Sequence, residues 1–255
     1  MQYSLENSRK IPVLLTSSVI AHDTGVSLQN SQDRIHFTLE SIKHWLHIEP
    51  RLQIVLCDGS NYDFSKSVGD LFPESQIECL RFENDQVMVR KYGRGFGEGE
   101  IVRFAIQNSQ LIAKAECFAK CTAKLWVQNF AECAANWNGK LRLKGVFSHV
   151  FSPFKATQLA YIDTRFYIAS CEEYKRHFQD AHHLIRKDDG YGLEDCYRDI
   201  FLQKKLSASL FSVPPVIYGV GGGTGTYYQN SLIRRLKERL RLKWVKGKPV
   251  FASFF

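Results

Sequence analysis

The chain has 255 residues, of which 44% are hydrophobic and 13% aromatic, and this composition excludes a disordered, collagen-like or low-complexity protein. The longest apolar stretch near the N-terminus, residues 11–21, is too short and too polar to span a bilayer and makes a poor secretory signal. Seven scattered cysteines do not suit a disulfide framework. We therefore expect a globular protein of the cytoplasm with reduced thiols.

Strands and helices are predicted to alternate through the first half of the chain. Strands are predicted at 12–17, 53–57 and 77–82, helices at 34–46 and 63–72, and a glycine-rich loop at 93–99 that opens a helix over 98–115. This alternation favours an α/β fold with a largely parallel sheet, where ligands bind at the carboxyl ends of strands. The polar residues at those ends are Thr16, Ser17, Asp58 and Asn61.

The second half continues with strands and helices and shows no linker or repeat. Strands are predicted at 125–129, 146–151, 159–169 (broken at 163–165) and 215–218, and helices at 171–186 and 192–205. A glycine run at 219–225 lacks the lysine of a phosphate-binding NTPase loop and is interpreted as a mobile loop over a ligand. We treat residues 1–230 as one domain and 231–255 as an appendage.

The positive charge is concentrated in that appendage. Residues 231–255 hold eight basic residues and one acid, which is +7 of the chain's net +8. On a helix, Ile233, Leu236, Leu240 and Trp244 form one apolar stripe among these charges. The pattern is typical of a helix on an anionic membrane surface. An ordinary packed helix is the alternative, and nucleic-acid binding is disfavoured because the rest of the chain offers no matching basic face.

Several polar residues are candidates for a reaction site. The 93–99 segment leads into a helix N-terminus that can receive an anion, and Glu98 and Glu100 suit sugar hydroxyls or a helix cap. Lys120, Thr122 and Lys124 can neutralise a diphosphate, although surface lysines are also common.

Acidic residues in the second half are candidates for proton transfer. Asp163 lies within an apolar strand pattern, which is costly unless its carboxylate is paired or functional. Glu194 and Asp195 begin a helix after a glycine turn, where they either cap the helix or supply a general base.

The motifs together resemble those of a bacterial glycosyltransferase family. The motifs are Ile11 to Ser18 followed by Arg34, Ile54 to Asn61, Gly93 to Glu100, Lys120 to Asn129, and Asp163 to Phe166. In this order, over about residues 11–228, they resemble surface-polysaccharide glycosyltransferases of O-antigen and capsule clusters with a GT-A-like fold. Here Ala123 and Lys124 stand where the family pattern has Gly and Arg.

The resemblance implies a GT-A-like, Rossmann-like fold and a reaction. It implies transfer of a sugar from a nucleotide-sugar donor to a glycan or polyprenyl-linked glycan, on the inner face of the cytoplasmic membrane and without nucleic acid. Catalytic residues would be Asp163, Glu194, Asp195 and Glu98, and donor-binding residues would be Thr16, Ser17, Asp58, Arg94, Glu100, Lys120, Thr122 and Lys124.

Metal dependence and catalysis itself are left open at this stage. The sequence has no Asp-x-Asp motif, so a divalent metal, manganese or magnesium, remains an option with no ligands assigned. The alternative to an enzyme is a non-catalytic scaffold that docks on membrane or nucleic acid through residues 231–255.

Overall fold

The structure is a computed structural model that describes residues 10–23, 25–135 and 137–255. Its strands are β1 (Val13–Ser17), β2 (Ile54–Asp58), β3 (Ile77–Arg81), β4 (Cys117–Thr122), β5 (Leu125–Val127), β6 (Leu141–Ser148), β7 (Gln158–Ser170), β8 (Ile217–Val220) and β9 (Tyr227–Tyr228). Its α-helices are α1 (Ser31–Ile48), α2 (Ser65–Leu71), α3 (Gln86–Tyr92), α4 (Arg94–Asn108), α5 (Gln110–Ala115), α6 (Phe130–Ala135), α7 (Cys171–His177), α8 (Leu193–Gln203), α9 (Leu232–Lys246) and α10 (Pro249–Ala252).

Six strands form the main sheet in the order β3-β2-β1-β4-β7-β6. The first four are parallel to one another, β7 pairs antiparallel with β4, and β6 pairs antiparallel with β7. A smaller antiparallel sheet has the order β5-β8-β9. The prediction of an α/β fold with a mixed, largely parallel sheet flanked by helices is confirmed.

Both faces of the main sheet are buried, which explains the nearly continuous apolar runs of β1 and β2. Leu14 and Val55 face a core that includes Val102 of α4. Val13 and Ile54 face the opposite core, which is covered by α1. Helices on both faces leave the ends of the strands as the open part of the sheet.

The strand order reverses between β1 and β4. From β1 the chain adds β2 and β3 on one side of the sheet and then returns to place β4 on the other side. Connections leaving the carboxyl ends of β1 and β4 therefore diverge and create a crevice, the usual ligand position in such sheets. Thr16 and Thr122, which are paired in the register of these strands, lie at this crevice.

The predicted glycine-rich loop at 93–99 is wrong, because these residues are the first turns of α4. Gly93, with φ of 85°, ends α3 and separates it from α4. Gly99 is needed for packing, since a side chain there would collide with the His182 ring. The glycines thus allow helices and turns to approach closely, a reason that local sequence does not show.

Two other predicted elements differ from the structure. β4 was not predicted as a strand, because Lys120 interrupts its apolar pattern. The predicted break at 163–165 is absent, and β7 runs through these residues without interruption. In both places a charged side chain within a strand is buried and paired, as described below.

The C-terminal segment is partly integrated into the domain. Val245 of α9 and Phe251 of α10 are buried in the core. Phe254 contacts Phe201 with ring centroids 4.9 Å apart, and Phe255 lies against Phe147. The aromatic residues at the C-terminus therefore pack against the domain. Of the helices in the part of the chain that the structure describes, none has the length and apolar character needed to cross a bilayer.

Candidate active site

A cavity of about 710 Å³ opens at the carboxyl ends of β1 and β4. The predicted site residues that line it are Thr16, Arg94, Glu98, Thr122, Lys124, Asp163, Glu194 and Asp195. Residues of β1, α4, β4, β7 and α8, which are distant in sequence, thus converge on one crevice. The predicted residues that do not line it are Ser17, Asp58, Glu100 and Lys120.

Two buried cations meet at one side of this cavity beneath the glycine run. A side-chain carbon at Gly222 would lie 3.6 Å from Lys124 Nζ and 3.7 Å from Arg34 Nη1. Arg34 donates its Nε to the Ser18 carbonyl at 2.6 Å and its Nη1 to the Leu28 carbonyl at 2.8 Å. Neither cation has a carboxylate within 4 Å among residues 10–23, 25–135 and 137–255.

Lys124 is held in an unfavourable state. It is 3% exposed, and its φ of 78° places it in the left-handed region that non-glycine residues rarely adopt. Burial, reinforced by the nearby Arg34, lowers the pKa of Lys124 to about 7. The carboxylates of Asp58 and Glu98 offset this only in part, so an anionic ligand beside Lys124 would supply counter-charge that the cation lacks at close range.

Arg94 adds a third cation at the same part of the cavity. Its guanidinium lies against Gly223, where any side chain would collide with it. Its backbone N–H donates to Asp23 Oδ2 at 3.0 Å, and Asp23 also forms an ion pair with Lys187 at 3.0 Å. The absence of side chains at 222 and 223 therefore lets Lys124, Arg34 and Arg94 approach the same part of the cavity.

Lys120 does not reach this space. It is fully buried, and its Nζ lies 2.6 Å from Glu98 Oε1, 2.8 Å from the Thr164 carbonyl and 3.1 Å from Thr122 Oγ1. Its ammonium protons are already donated to three acceptors. This position does not support the predicted phosphate contact of Lys120, whose ion pair instead fixes the position of Glu98.

Ser17 and Asp58 are buried at the ends of β1 and β2 and do not line the cavity. The Asp58 carboxylate is fully buried and accepts hydrogen bonds from the backbone N–H groups of Val19, Ser60 and Tyr62. These bonds hold the turns that follow β1 and β2. Ser17 is also buried. The predicted direct contact of both residues with a nucleotide is not supported by their positions.

Glu100 points away from the cavity, toward two histidines. Its Oε1 lies 2.6 Å from His182 Nε2, and its Oε2 accepts from Arg103 at 2.7 Å. Glu100, His182 and His183 are the one group of three or more potential metal ligands that lie close together among the described residues. The position of Glu100 does not support its predicted contact with the donor, because Glu100 is not part of the cavity lining.

The carboxylates in the cavity do not fit a divalent metal. Asp23, Asp163 and Glu98 are each paired with a lysine or arginine. Asp195 accepts from Arg198 at 2.9 Å and caps its own helix. A metal would need several free oxygen ligands, and Glu194 alone has no salt bridge in the described part of the chain.

Asp163 is poorly suited to the predicted role of general base. It is buried in β7, with Oδ2 3.0 Å from Lys144 Nζ and 2.6 Å from Arg165 Nη2. Burial alone would raise the pKa of Asp163, but the charge of Lys144 and the hydrogen bonds from Arg165 outweigh it and hold that pKa well below its usual range. A carboxylate so stabilised is a weak base. We assign it to the orientation of Lys144 and Arg165.

Glu194 has the properties expected of a general base. It lies in the first turn of α8, lines the cavity and accepts from Thr164 Oγ1 at 3.4 Å. Burial raises the pKa of Glu194, and the neighbouring carboxylates Glu98 and Asp163 raise it further. A raised pKa makes a carboxylate a better proton acceptor near neutral pH. Asp195, in contrast, accepts from the Gly192 N–H at 3.0 Å and acts as a helix cap.

Sequence reasoning missed three contributors to the cavity. Arg34 was noted as part of a motif but given no site role. Arg165 lies 4.8 Å from the centroid of the Tyr228 ring, and both line the cavity. A signal for Arg34 was its position in the first turn of α1, the first helix after β1.

Comparison with known proteins gives only distant structural similarity. No protein-family model matches the sequence, and no curated protein matches it. Similar solved structures include the glycosyltransferase GlyE of Streptococcus pneumoniae TIGR4, at 8% identity and a TM-score of 0.46, over 79% of this chain and 45% of that chain. This chain thus spans less than half of GlyE.

Two further structures illustrate the range of this similarity. An active-site mutant of LgtC aligns at 8% identity and a TM-score of 0.45, over 79% of this chain and 72% of that chain. The inositol-1-phosphate CTP transferase from T. maritima aligns at 12% identity and a TM-score of 0.46, over 94% of this chain and 97% of that chain.

Proposed function

We propose that this protein is a glycosyltransferase that transfers a sugar from a nucleotide-sugar donor to a lipid-linked or oligosaccharide acceptor. The observation that carries the proposal is the presence, within one cavity of about 710 Å³, of two buried cations, the exposed Arg94 beside them and a carboxylate of raised pKa. Arg34, Lys124 and Arg94 supply positive charge for a diphosphate, and Glu194 supplies a base. A non-catalytic scaffold would need neither.

The reaction needs one proton acceptor and one stabilised leaving group. Glu194 takes the proton from an acceptor hydroxyl, and the oxygen forms a bond to the anomeric carbon of the donor sugar. The bond between that carbon and the diphosphate breaks, and the electron pair leaves with the nucleoside diphosphate. Lys124 and Arg34 neutralise the charge that develops on the leaving group.

The Glu98 carboxylate interacts electrostatically both with the diphosphate site at Lys124 and with the proposed base Glu194. It is fixed by Lys120 and Thr122. A fixed acceptor of hydrogen bonds is suited to sugar hydroxyls. We place the donor sugar beside Glu98, between the diphosphate and Glu194.

The direct test is transfer from radiolabelled nucleotide sugars. A panel of UDP-, GDP-, CDP- and dTDP-sugars is incubated with the protein and a lipid-linked acceptor, and both transfer and hydrolysis of the donor are measured. We expect turnover with one donor, lost in Glu194→Gln and retained in Asp195→Asn. Absence of transfer and hydrolysis from every donor would contradict the proposal.

We further propose that the enzyme works on an anionic membrane surface through residues 231–255. The apolar stripe of α9 is exposed, with Ile233 69%, Leu236 60%, Leu240 51% and Trp244 59% accessible. Phe151 contacts Trp244, and Phe154 nearby in sequence is 93% exposed. Exposed aliphatic and aromatic residues surrounded by basic side chains match an interfacial helix, with about 1 kcal/mol per basic residue from anionic lipid.

The biological setting that fits this chemistry is assembly of a bacterial surface polysaccharide, an O-antigen or a capsule. This part of the proposal rests on the motif resemblance of residues 11–228 and on the exposed stripe. It places the enzyme on the inner face of the cytoplasmic membrane, where nucleotide sugars and lipid-linked acceptors meet.

A further inference from the structure

A second, strongly basic groove lies between α9 and the candidate active site. Its volume is about 220 Å³. Its basic lining residues are Lys144, Arg165, Arg234, Arg235, Arg239 and Arg241, and the one acidic residue among its lining is Glu238. Lys144 and Arg165 are paired with Asp163, so the excess of positive charge in the groove comes from the arginines of α9.

The groove and the cavity are adjacent and share three lining side chains. Tyr161, Arg165 and Tyr228 line both. Arg165 is oriented by Asp163 and by the face of Tyr228. A molecule held in the groove would therefore lie beside the cavity that Glu194 lines, against fixed aromatic and cationic groups.

The arginines of α9 that line the groove differ in their pairing. Arg239 lies 3.8 Å from Glu132, and Arg241 lies 3.4 Å from Glu238. Arg234 and Arg235 form no salt bridge with any residue that the structure describes. Planar guanidinium groups bind phosphate oxygens in a bidentate manner, so these two arginines suit a phosphate-bearing ligand.

The groove and the exposed stripe belong to different faces of the same helix. Arg234, Glu238 and Arg241 line the groove, whereas Leu236, Leu240 and Trp244 are exposed elsewhere on α9. A ligand with a phosphate group and an attached lipid could thus occupy the groove while its lipid remains near the stripe.

We infer that this groove binds the diphosphate of a lipid-linked acceptor and thereby directs the acceptor sugar to Glu194. The inference rests on the proposed function, which it deepens by assigning an acceptor class: a sugar joined through a diphosphate to a lipid. The donor diphosphate and the acceptor diphosphate then occupy separate sites, one beside Lys124 and one beside Arg234.

The experiment measures pyrophosphate binding with the donor site already filled. Isothermal titration of inorganic pyrophosphate is performed on the full chain, without nucleotide and with a saturating nucleoside diphosphate chosen from UDP, GDP, CDP and dTDP. We expect the pyrophosphate affinity of the groove to remain in the presence of nucleotide. Arg234→Gln/Arg235→Gln should weaken it at least tenfold and leave the nucleoside diphosphate affinity unchanged.

A matched variant removes the same charge from α9 outside the groove. Lys237→Gln/Lys243→Gln should retain the pyrophosphate affinity, because neither lysine lines the groove. Both double variants lose two charges, so their sedimentation with phosphatidylglycerol vesicles should fall equally. Binding to lipid headgroups depends on the total charge of α9 and should fall equally in both variants, whereas binding of a diphosphate in the groove should fall only in Arg234→Gln/Arg235→Gln.

The outcomes separate the two proposals. Displacement of all pyrophosphate by nucleotide, or equal weakening in both double variants, overturns the groove inference and leaves the proposed function standing. Failure of every nucleoside diphosphate to bind contradicts the proposed function, while a difference between the two double variants still supports the groove. Farnesyl diphosphate, titrated in the same way, should bind more tightly than pyrophosphate to the wild-type protein.

Discussion

Lys120 and Glu98 form a buried ion pair with 2.6 Å between Nζ and Oε1. Lys120→Met would leave Glu98 without its cation in a largely buried position, so we expect a loss of about 3–5 kcal/mol in the free energy of unfolding. Chemical denaturation followed by circular dichroism measures this.

The double variant Lys120→Met/Glu98→Gln serves as the control for this pair. It removes the charge of both partners, so it should recover part of the stability that Lys120→Met loses. A stable Lys120→Met protein that has lost only nucleotide affinity would instead show that Lys120 binds phosphate directly.

Lys124 should determine the pH dependence of nucleotide binding. With its pKa lowered to about 7, it is charged below that pH and neutral above it. Because the charged form attracts a diphosphate, affinity should be high below pH 7 and fall as pH rises above it, with proton uptake on binding above pH 7. Isothermal titration in buffers of different ionisation enthalpy measures this uptake.

The same residue should limit the stability of the free protein. A lysine whose pKa is lower when folded than when unfolded contributes least below the folded pKa, and stability rises with pH between about 7 and 10.5. Lys124→Met should raise the free energy of unfolding at pH 6 by about 1 kcal/mol or more and abolish nucleotide binding. Decreased stability of the variant at pH 6 would contradict a net cost of burying the Lys124 charge.

Glu194 should behave as a catalytic base and Asp195 as a structural cap. Glu194→Gln should lower kcat by about 10²–10⁴ with little change in Tm. The wild-type kcat/KM should rise with pH through the raised pKa of Glu194, and this limb should be absent in Glu194→Gln.

Asp195→Asn provides the contrast. It weakens the cap at Gly192, so Tm should fall by an amount equivalent to about 1 kcal/mol while kcat is nearly retained. The reverse assignment would be indicated if Asp195→Asn removed turnover and Glu194→Gln removed only stability.

Activity should survive removal of divalent metals. The cavity carboxylates other than Glu194 are already paired or used in a cap, so the leaving group depends on Lys124, Arg34 and Arg94. We expect most transfer activity to remain in EDTA. Complete loss that manganese or magnesium restores would mean that the diphosphate site includes a metal.

Membrane binding is best tested by surface substitutions. Truncation after Asn230 would remove the buried Val245 and Phe251 and disturb the core. Leu236→Ser/Leu240→Ser changes only exposed positions, and it should reduce sedimentation with phosphatidylglycerol vesicles at least tenfold while Tm stays unchanged. Unaltered vesicle binding in this variant would exclude the stripe as the contact.

The sequence predicts the first half of the fold well because local patterns there agree with tertiary structure. β1, β2 and α1 have apolar residues at the periods of a buried strand and an amphipathic helix. The same reasoning fails at 93–99, since Gly95 and Gly99 allow close contacts with residues 80 or more positions away, such as Gly99 with His182. Local sequence patterns do not predict contacts between residues so far apart in the chain.

The candidate site could be predicted only in part, because charge pairing depends on distant elements. Lys120 and Lys124 look alike in sequence, yet one is paired with Glu98 and the other is left without a partner carboxylate in the described residues. Asp163 and Glu194 likewise acquire opposite pKa shifts from their neighbours. Residue type identified the candidates, and three-dimensional pairing divided them into positioning and reacting groups.

The exposed stripe of α9 has a kinetic consequence if it holds the enzyme on a bilayer. The search for a lipid-linked acceptor then takes place in two dimensions, because enzyme and acceptor share one surface. Turnover would follow the mole fraction of acceptor in the lipid rather than its bulk concentration. Addition of acceptor-free anionic vesicles at constant acceptor would slow transfer by surface dilution, and serine at Leu236 and Leu240 would remove this sensitivity.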